Sequence, residues 1–256
     1  MPEADLALLE RAARSAGELA SRFVGRHGEV REKPGGHGPV SAADLAVDDL
    51  LREALRGARP GYGWLSEESE DGPERLGAPR VFVVDPIDGT RAFIAGEKAW
   101  AIALAVVESG RPVAAVVHLP LLDRTYAAAC GQGARLNGTV LAASAREELA
   151  GARVLVAKNQ LAPEHWPGGV PPVARGFRPS LAYRACLVAE GEADATLTFR
   201  DTWEWDLAAA TLIAHEAGAV VTDRRGQPLA FNNPVPVLPG MIASGPALHA
   251  RILERL

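Results

Sequence analysis

Hydrophobic residues near the start of the chain recur at steps of three and four, the period of an α-helix that buries one face. The first such run predicts a helix and comprises Leu6, Leu9, Ala13, Ala16, Ala20 and Phe23. A second run, from Val47 to Leu55, follows Ser41, whose hydroxyl can cap the start of a helix. Between the two runs, residues 25–39 have no apolar period, which predicts a flexible loop that carries Lys33.

Short apolar runs bounded by turn residues predict a series of β-strands. They cover residues 62–65, 81–84, 99–107, 113–117, 125–129, 154–157, 194–199, 219–222 and 241–244. Further helices are predicted at 181–189, from Asp206 to Gly218 and at 247–255, whereas 131–138 is interpreted as turns and 163–179 as a loop. The pattern changes near Arg146, which predicts an N-terminal α+β half (1–145) and a C-terminal α/β half (146–256) in one compact unit.

The composition narrows the class of protein. With 256 residues, 48% of them hydrophobic and 23% charged, the chain is typical of a globular enzyme. A net charge of −5 argues against a nucleic-acid-binding surface, and no apolar run reaches the roughly 20 residues that cross a bilayer. Cys130 and Cys186 lack metal-ligand spacing, and the six histidines are interpreted as structural or surface residues. We therefore expect a cytoplasmic protein with neither a nucleic acid polymer nor a membrane as its partner.

The segment after the strand at 81–84 carries the most specific chemistry, with the sequence Asp85-Pro86-Ile87-Asp88-Gly89-Thr90. Two carboxylates and a hydroxyl then lie at a strand end beside backbone N–H groups. Mg²⁺ prefers such oxygen ligands, and phosphate prefers such donors. An ordinary polar turn is the alternative. The spacing excludes a calcium loop, because Ile87 and Gly96 occupy ligand positions, and the extra residue between the aspartates disfavours a phosphoaspartate nucleophile.

Acidic residues also mark three other segments. Glu67 and Glu68 follow the strand predicted at 62–65, Asp44 lies in the first turn of the second helix, and Asp206 begins a later helix. Adjacent carboxylates repel unless a cation compensates them, whereas an acid in a first helical turn is common as a cap. From these residues alone, capping and a role in a site both stay open for Asp44 and Asp206.

Together these segments resemble the inositol monophosphatase family across nearly the whole chain. The motifs that carry the resemblance are Pro39-Val-Ser-Ala-Ala-Asp44, Leu65-Ser-Glu-Glu68, the hexamer from Asp85 to Thr90, and Trp205-Asp206 with Glu216-Ala-Gly218. The resemblance implies an α+β fold, a layered αβαβα sandwich, usually assembled as a homodimer. It also implies that Glu67, Asp85 and the Ile87 carbonyl hold one Mg²⁺, and that Asp85, Asp88 and Asp206 hold a second, with two or three ions per site.

The function that the resemblance implies is Mg²⁺-dependent hydrolysis of a small phosphate ester by in-line attack of metal-activated water. Thr90 would orient the water with Asp44 or Glu67 as proton acceptor, and the Gly89 and Thr90 amides would bind phosphate. Lys33 resembles the lysine of the family's mobile loop, and inhibition by Li⁺ is expected. The alternative is a catalytically inactive member that acts as a metal-binding regulator or scaffold.

Departures from the family pattern bear on the substrate. Inositol-specific members have Gly-Ser-Ala before the helix at 181, where this chain has Pro179-Ser180, and Ser180 is the candidate substrate contact. Arg91 and Arg200 resemble the branch that acts on 3′-phosphoadenosine 5′-phosphate, because a guanidinium can bind a second phosphate through paired hydrogen bonds. For each arginine a solvated surface charge is the alternative. Inositol monophosphate and the bisphosphate both stay candidate substrates.

Overall fold

The structure, a computed structural model, describes residues 2–25, 29–33 and 38–256. The α-helices in these ranges are α1 (Pro2–Ser21), α2 (Ala42–Ala58), α3 (Thr90–Ile94), α4 (Leu181–Ala189), α5 (Glu204–Glu216) and α6 (Pro246–Leu253). The strands are β1 (Val30–Glu32), β2 (Pro39–Ser41), β3 (Gly63–Ser66), β4 (Arg80–Asp88), β5 (Ala101–Glu108), β6 (Arg111–Leu119), β7 (Arg124–Ala129), β8 (Ala134–Leu136), β9 (Thr139–Val140), β10 (Arg153–Leu155), β11 (Ala174–Gly176), β12 (Ala195–Thr198), β13 (Thr202–Trp203), β14 (Val220–Thr222), β15 (Val237–Leu238) and β16 (Met241–Ser244). None of the helices described is long and apolar enough to cross a bilayer.

The larger sheet has seven strands that lie side by side in chain order, from β3 to β9. β3 and β4 are parallel, and each later pair of neighbours is antiparallel. The hairpin predicted at Ser109 and Gly110 joins β5 to β6, and both residues have positive φ. Because Ser66 pairs with Val84 at the ends of β3 and β4, the acidic residues that follow both strands share one edge of the sheet.

The smaller sheet has five strands in the order β11-β10-β12-β16-β14. β10 runs parallel to both of its neighbours, and β16 runs antiparallel to both of its own. Neighbouring residues of β16 face opposite ways, as the strand period requires: Met241 packs with the core that contains α4 and α5, and Ile242 packs with the core that contains α6. This sheet therefore buries both of its faces.

The elements stack in five layers. α1 and α2 pack against the larger sheet through a core that includes Leu9, Leu51 and Phe82. α4 and α5 pack against the other face of that sheet and also contact the smaller sheet. α6 covers the far face of the smaller sheet. The predicted αβαβα sandwich is confirmed.

Three predicted loops contain short strands. β1 lies inside the loop predicted at 25–39 and pairs with β2, which begins at the last residue of that loop. β8 lies in the turns predicted at 131–138, β9 follows them, and β11 lies in the loop predicted at 163–179. A strand of two or three residues shows no hydrophobic period, and its backbone pairing alone defines it, so the sequence pattern misses it. Residues 26–28 and 34–37 of the predicted flexible loop lie outside the described residues.

Candidate active site

The segment that joins β4 to α3 carries the two central aspartates. β4 extends through Asp88 instead of ending at Val84, because its pairing with β5 shifts register between Asp85 and Asp88. Asp85 Oδ1 accepts a hydrogen bond from the N–H of Ile87 at 3.0 Å. Gly89, the N-cap of α3, has φ of 98°, a conformation that glycine adopts without steric cost. The bulge and the left-handed glycine together set the direction of both carboxylates.

A third aspartate from the C-terminal part of the chain completes a cluster. Asp206 lies in the first turn of α5, whose N-cap is Trp203, so the capping interpretation of Asp206 is wrong. One carboxylate oxygen each from Asp85, Asp88 and Asp206 lies within 4.8 Å of the other two. A single cation could contact all three side chains.

Burial makes this cluster costly when its charges are not compensated. Asp85 and Asp88 are buried, and Asp85 Oδ2 has no hydrogen-bond partner among the described residues. Burial, and after it the neighbouring carboxylates, raises the pKa of Asp85 and of Asp206 well above the usual range. Burial also raises the pKa of Asp88, although the hydrogen bonds that this carboxylate accepts oppose the shift. A set of mutually repelling carboxylates that includes a buried oxygen without a partner among the described residues, Asp85 Oδ2, fits a hard divalent cation.

Thr90 and Asp44 meet beside the cluster. The Thr90 hydroxyl lies 3.1 Å from the Ile87 carbonyl oxygen and 3.3 Å from Asp44 Oδ1. Asp44 Oδ2 accepts hydrogen bonds from the N–H and the hydroxyl of Ser41 at 2.8 and 2.5 Å, which completes a capping box at the start of α2. Burial raises the pKa of Asp44, although the bonds from Ser41 oppose the shift. Asp44 therefore caps α2 with one oxygen and faces Thr90 with the other.

Lys33 follows β1 and reaches the acidic residues at the end of β3. Its Nζ donates to Glu67 Oε1 at 2.7 Å and to Glu68 Oε1 at 2.6 Å. Burial raises the pKa of Glu68 to about 7, although the contact with Lys33 opposes the shift. Burial lowers the pKa of Lys33, but the two glutamates outweigh it and leave that pKa raised. An ammonium group thus compensates the glutamates of the site, whereas within the described ranges no ammonium group pairs with Asp85.

The start of α4 orients Asp88. The Ser180 hydroxyl donates to Asp88 Oδ2 at 2.7 Å and accepts a hydrogen bond from the N–H of Tyr183 at 2.9 Å, so Ser180 caps α4. The N–H groups of Leu181 and Ala182 donate to the same carboxylate at 3.3 and 2.7 Å. Ser180 is therefore a direct neighbour of the cluster.

A cavity of about 1060 Å³ opens beside the carboxylates. The predicted site residues that line it are Glu67, Asp85, Ile87, Asp88, Gly89, Thr90, Arg91, Arg200 and Asp206. The three other predicted residues, Asp44, Lys33 and Ser180, do not line it but bond to Thr90, Glu67 and Asp88, which do. Residues that are distant in sequence are thus brought to one site.

Two features of the cavity wall were not predicted from the sequence. Arg184, in α4, lines the cavity with only 6% of its surface exposed. Trp203 and Trp205 stack with ring centroids 4.8 Å apart and planes 7° apart. A lone arginine within the apolar run from Leu181 to Ala189 is the sequence signal that points to the first of these features.

No histidine or cysteine of the described residues lines this cavity. His118 bonds to Thr125, and His249 bonds to Thr222, both in the protein interior, where burial lowers the pKa of each imidazole. The two cysteines are free. His27 and His37 lie outside the described residues.

Comparison with known proteins places the chain among phosphatases. The family model for the inositol monophosphatase family matches residues 2–256. An inositol-1-monophosphatase of Rhizobium meliloti (strain 1021) is 37% identical over 197 residues, which cover 73% of this chain and 73% of that protein. The 3′(2′),5′-bisphosphate nucleotidase CysQ of Escherichia coli (strain K12) is 32% identical over 205 residues, which cover 75% of this chain and 79% of that protein. The structure of an IMPase from Thermotoga maritima has a TM-score of 0.83 and 27% identity, covering 99% of this chain and 96% of that one.

Proposed function

The chain belongs to the inositol monophosphatase family, and from that premise we propose that it is a Mg²⁺-dependent phosphomonoesterase for a small phosphorylated metabolite. The predicted family and the predicted enzyme class, a phosphoric monoester hydrolase, are confirmed by the relatives. The observation that carries the proposal is the convergence of Asp85, Asp88 and Asp206, next to the hydroxyl of Thr90. The candidate substrates are inositol monophosphate and 3′-phosphoadenosine 5′-phosphate.

Two groups of oxygen atoms would hold the metal. Asp85, Asp88 and Asp206 would hold one Mg²⁺, and Glu67, Asp85 and the Ile87 carbonyl would hold another. When bound, Mg²⁺ supplies positive charge that makes water more acidic and that offsets the charge of the phosphate and of the leaving oxygen. Glu67 bonds to the ammonium of Lys33, so the second of these groups binds a cation in competition with Lys33.

The residues of the chain would position the reactants. Thr90 orients the attacking water, since its hydroxyl donates toward Asp44 or the Ile87 carbonyl and keeps its lone pairs for another donor. Asp44 or Glu67 accepts the proton of that water, and the raised pKa of Asp44 suits it to this role. The first N–H groups of α3 have no partner within the helix, and the amides of Gly89 and Thr90 bind phosphate oxygens.

A second anionic group of the substrate separates the two candidates. Arg91 and Arg200 are exposed side chains on the cavity wall and can bind such a group, and Ser180 contributes next to Asp88. A neutral inositol ring offers these arginines hydroxyl oxygens but no second negative charge. The E. coli CysQ relative is a 3′(2′),5′-bisphosphate nucleotidase, which supports the bisphosphate, whereas the Rhizobium relative supports inositol monophosphate.

The proposal is tested by release of phosphate from a panel of sugar, inositol and nucleotide phosphates with and without Mg²⁺. We expect turnover that requires Mg²⁺, is inhibited by Li⁺ and is lost in Asp88→Asn and Asp206→Asn. Inactivity on the whole panel would favour the alternative, an inactive metal-binding scaffold. Sedimentation would test the proposed homodimer, and cell fractionation the proposed cytoplasmic location.

A further inference from the structure

Arg184 carries a charge that nothing in the described residues neutralises by contact. It stands in the middle of α4 between apolar neighbours, and 6% of its surface is exposed. Its Nε is buried without a hydrogen-bond partner, and its guanidinium makes no ion pair or hydrogen bond to any described side chain or carbonyl. A buried polar group without a partner is costly, and a buried charge is more so.

The guanidinium of Arg184 lies near an aromatic ring and near other charged groups. The centre of the guanidinium lies 5.5 Å from the ring centroid of Phe177, a distance at which cation and ring attract each other. Burial lowers the pKa of Arg184 to about 10, Asp88 and Asp206 act in the opposite direction, and Arg200 adds to the lowering. Arg184 therefore stays charged at neutral pH, and Arg200 is near enough to repel it.

Arg184 lies one helical turn after Ser180, the residue at the start of α4 that bonds to Asp88. Ser180, whose hydroxyl bonds to Asp88, is four residues before Arg184, so the two Cα atoms are about 6 Å apart along the axis of α4. Arg184 lines the same cavity as Asp88 and interacts with its charge, but the two side chains form no ion pair. The guanidinium thus lies beside the carboxylate cluster without bonding to it. If the reacting phosphate of a small substrate binds at the cluster, a second anionic group of that substrate would also lie beside the cluster.

We propose that Arg184 determines specificity by binding a second phosphate of the substrate, with Arg200 on the same cavity wall, and this inference rests on the proposed phosphatase function. A guanidinium presents paired donors that match two phosphate oxygens, and a phosphate between Arg184 and Arg200 would remove their mutual repulsion. The preferred substrate class is then a phosphomonoester with a second phosphate, such as a nucleoside 3′,5′-bisphosphate. The competing explanation is that Arg184 only balances the charges of Asp88 and Asp206.

The activity test compares two substrates that differ only in the second phosphate: adenosine 3′,5′-bisphosphate and adenosine 3′-phosphate. We expect Arg184→Met to lower kcat/KM for the bisphosphate by roughly 10- to 100-fold and to change that for the monophosphate less than threefold. Arg184→Lys keeps the charge but not the paired donors, so its kcat/KM for the bisphosphate should lie between that of the wild type and that of Arg184→Met. The matched control is Arg178→Met, which removes an exposed arginine of the same cavity and should leave the ratio of the two kcat/KM values unchanged. Equal losses on both substrates would overturn the proposal and assign Arg184 to charge balance.

A binding test separates this inference from the proposed reaction. Calorimetry on Thr90→Ala, which retains the carboxylates, measures the affinity for both nucleotides without dependence on rapid turnover. We expect the bisphosphate to bind at least tenfold more tightly, and the double variant Thr90→Ala/Arg184→Met to lose this preference. If no ester is hydrolysed but the preference depends on Arg184, the reaction is wrong and the inference stands. If esters are hydrolysed but the preference is unchanged by Arg184→Met, the inference is wrong and the reaction stands.

Discussion

Replacing Asp206 by Asn should stabilise the metal-free protein. Asn has nearly the same shape as Asp, and it removes one charge from three carboxylates whose oxygen atoms lie within 4.8 Å of one another. At 4.8 Å and an effective dielectric constant of about 20, two full charges repel by about 3.5 kcal/mol. The pKa values of Asp85, Asp88 and Asp206 are all raised, so the charged forms are disfavoured in the folded protein, and we expect a gain of about 1 to 2 kcal/mol in the free energy of unfolding.

The sign of the pH dependence follows from the same shifts. A carboxyl group whose pKa is higher in the folded than in the unfolded state stabilises the fold most at acid pH, and that stability is lost as the pH rises through the folded pKa. The contribution of these three groups to the stability of the wild-type protein in chelator should therefore be lost as the pH rises above about 4, the ordinary carboxyl pKa. Asp206→Asn should lose less, so the two unfolding curves should converge near pH 4 and separate toward pH 7.

The measurement is denaturant and thermal unfolding in EDTA across this pH range. A gain of 1 to 2 kcal/mol corresponds to a rise in Tm of about 2 to 8 °C in a chain of this size. Added Mg²⁺ should raise the Tm of the wild type more than that of the variant, because binding to the folded state stabilises it by mass action.

Asp194→Asn is the matched control with the opposite sign. Asp194 is also buried, and burial raises its pKa, but hydrogen bonds from Arg153 and Ser144 outweigh burial and leave that pKa lowered. Its stabilising contribution is present above the unfolded pKa and is lost as the pH falls, so this variant should be destabilised at pH 7. A lower stability of Asp206→Asn at pH 7 in EDTA would refute the reasoning, since Asp206 would then support the fold through favourable contacts.

Three further variants test other parts of the site. Thr90→Ala should lower kcat by about 100-fold or more with a similar Tm, because it removes the hydroxyl beside Asp44; a kcat within threefold of wild type would exclude Thr90 from the reaction. Lys33→Met should lower the Mg²⁺ concentration for half-maximal activity, since the ammonium no longer competes for Glu67; a higher concentration would mean that Lys33 helps to organise the site. Gly89→Ala should lower the free energy of unfolding by about 1 to 2 kcal/mol because φ is 98°, and an unchanged Tm would contradict the requirement for glycine at this turn.

Long periodic segments and the central hexamer could be predicted from the sequence. α1, α2 and the β5–β6 hairpin follow from hydrophobic period and turn residues, and the cap at Ser41 is present as a capping box. The pairing of β1 with β2 was missed because three-residue strands have no measurable period. The boundary between the predicted halves at 145 stays a prediction, since α5 follows that boundary yet packs against the larger sheet, which precedes it.

Residue spacing alone could not predict that Asp206 joins Asp85 and Asp88, because 118 positions separate Asp206 from Asp88. Only the family resemblance placed the three together. The packing of α5 explains this result. Asp206 lies in the first turn of α5, and α5 packs against β4, so the carboxylate of Asp206 lies near Asp85 and Asp88 at the end of that strand. Repulsion within the cluster then opposes that packing in the metal-free protein, and cation binding favours it.

Arg184 is a buried charge in a helix that is otherwise apolar, and the sequence analysis did not select it as a site residue. The apolar character of the segment from Leu181 to Ala189 predicts a buried helix correctly, and the same pattern makes a single arginine there costly. A charge that burial disfavours, and that no described side chain pairs with, is retained at a cost to stability. Arg91 and Arg200, which the sequence suggested first, are exposed and carry no such cost. The buried arginine is therefore the stronger indication that the cavity accommodates a second negative group.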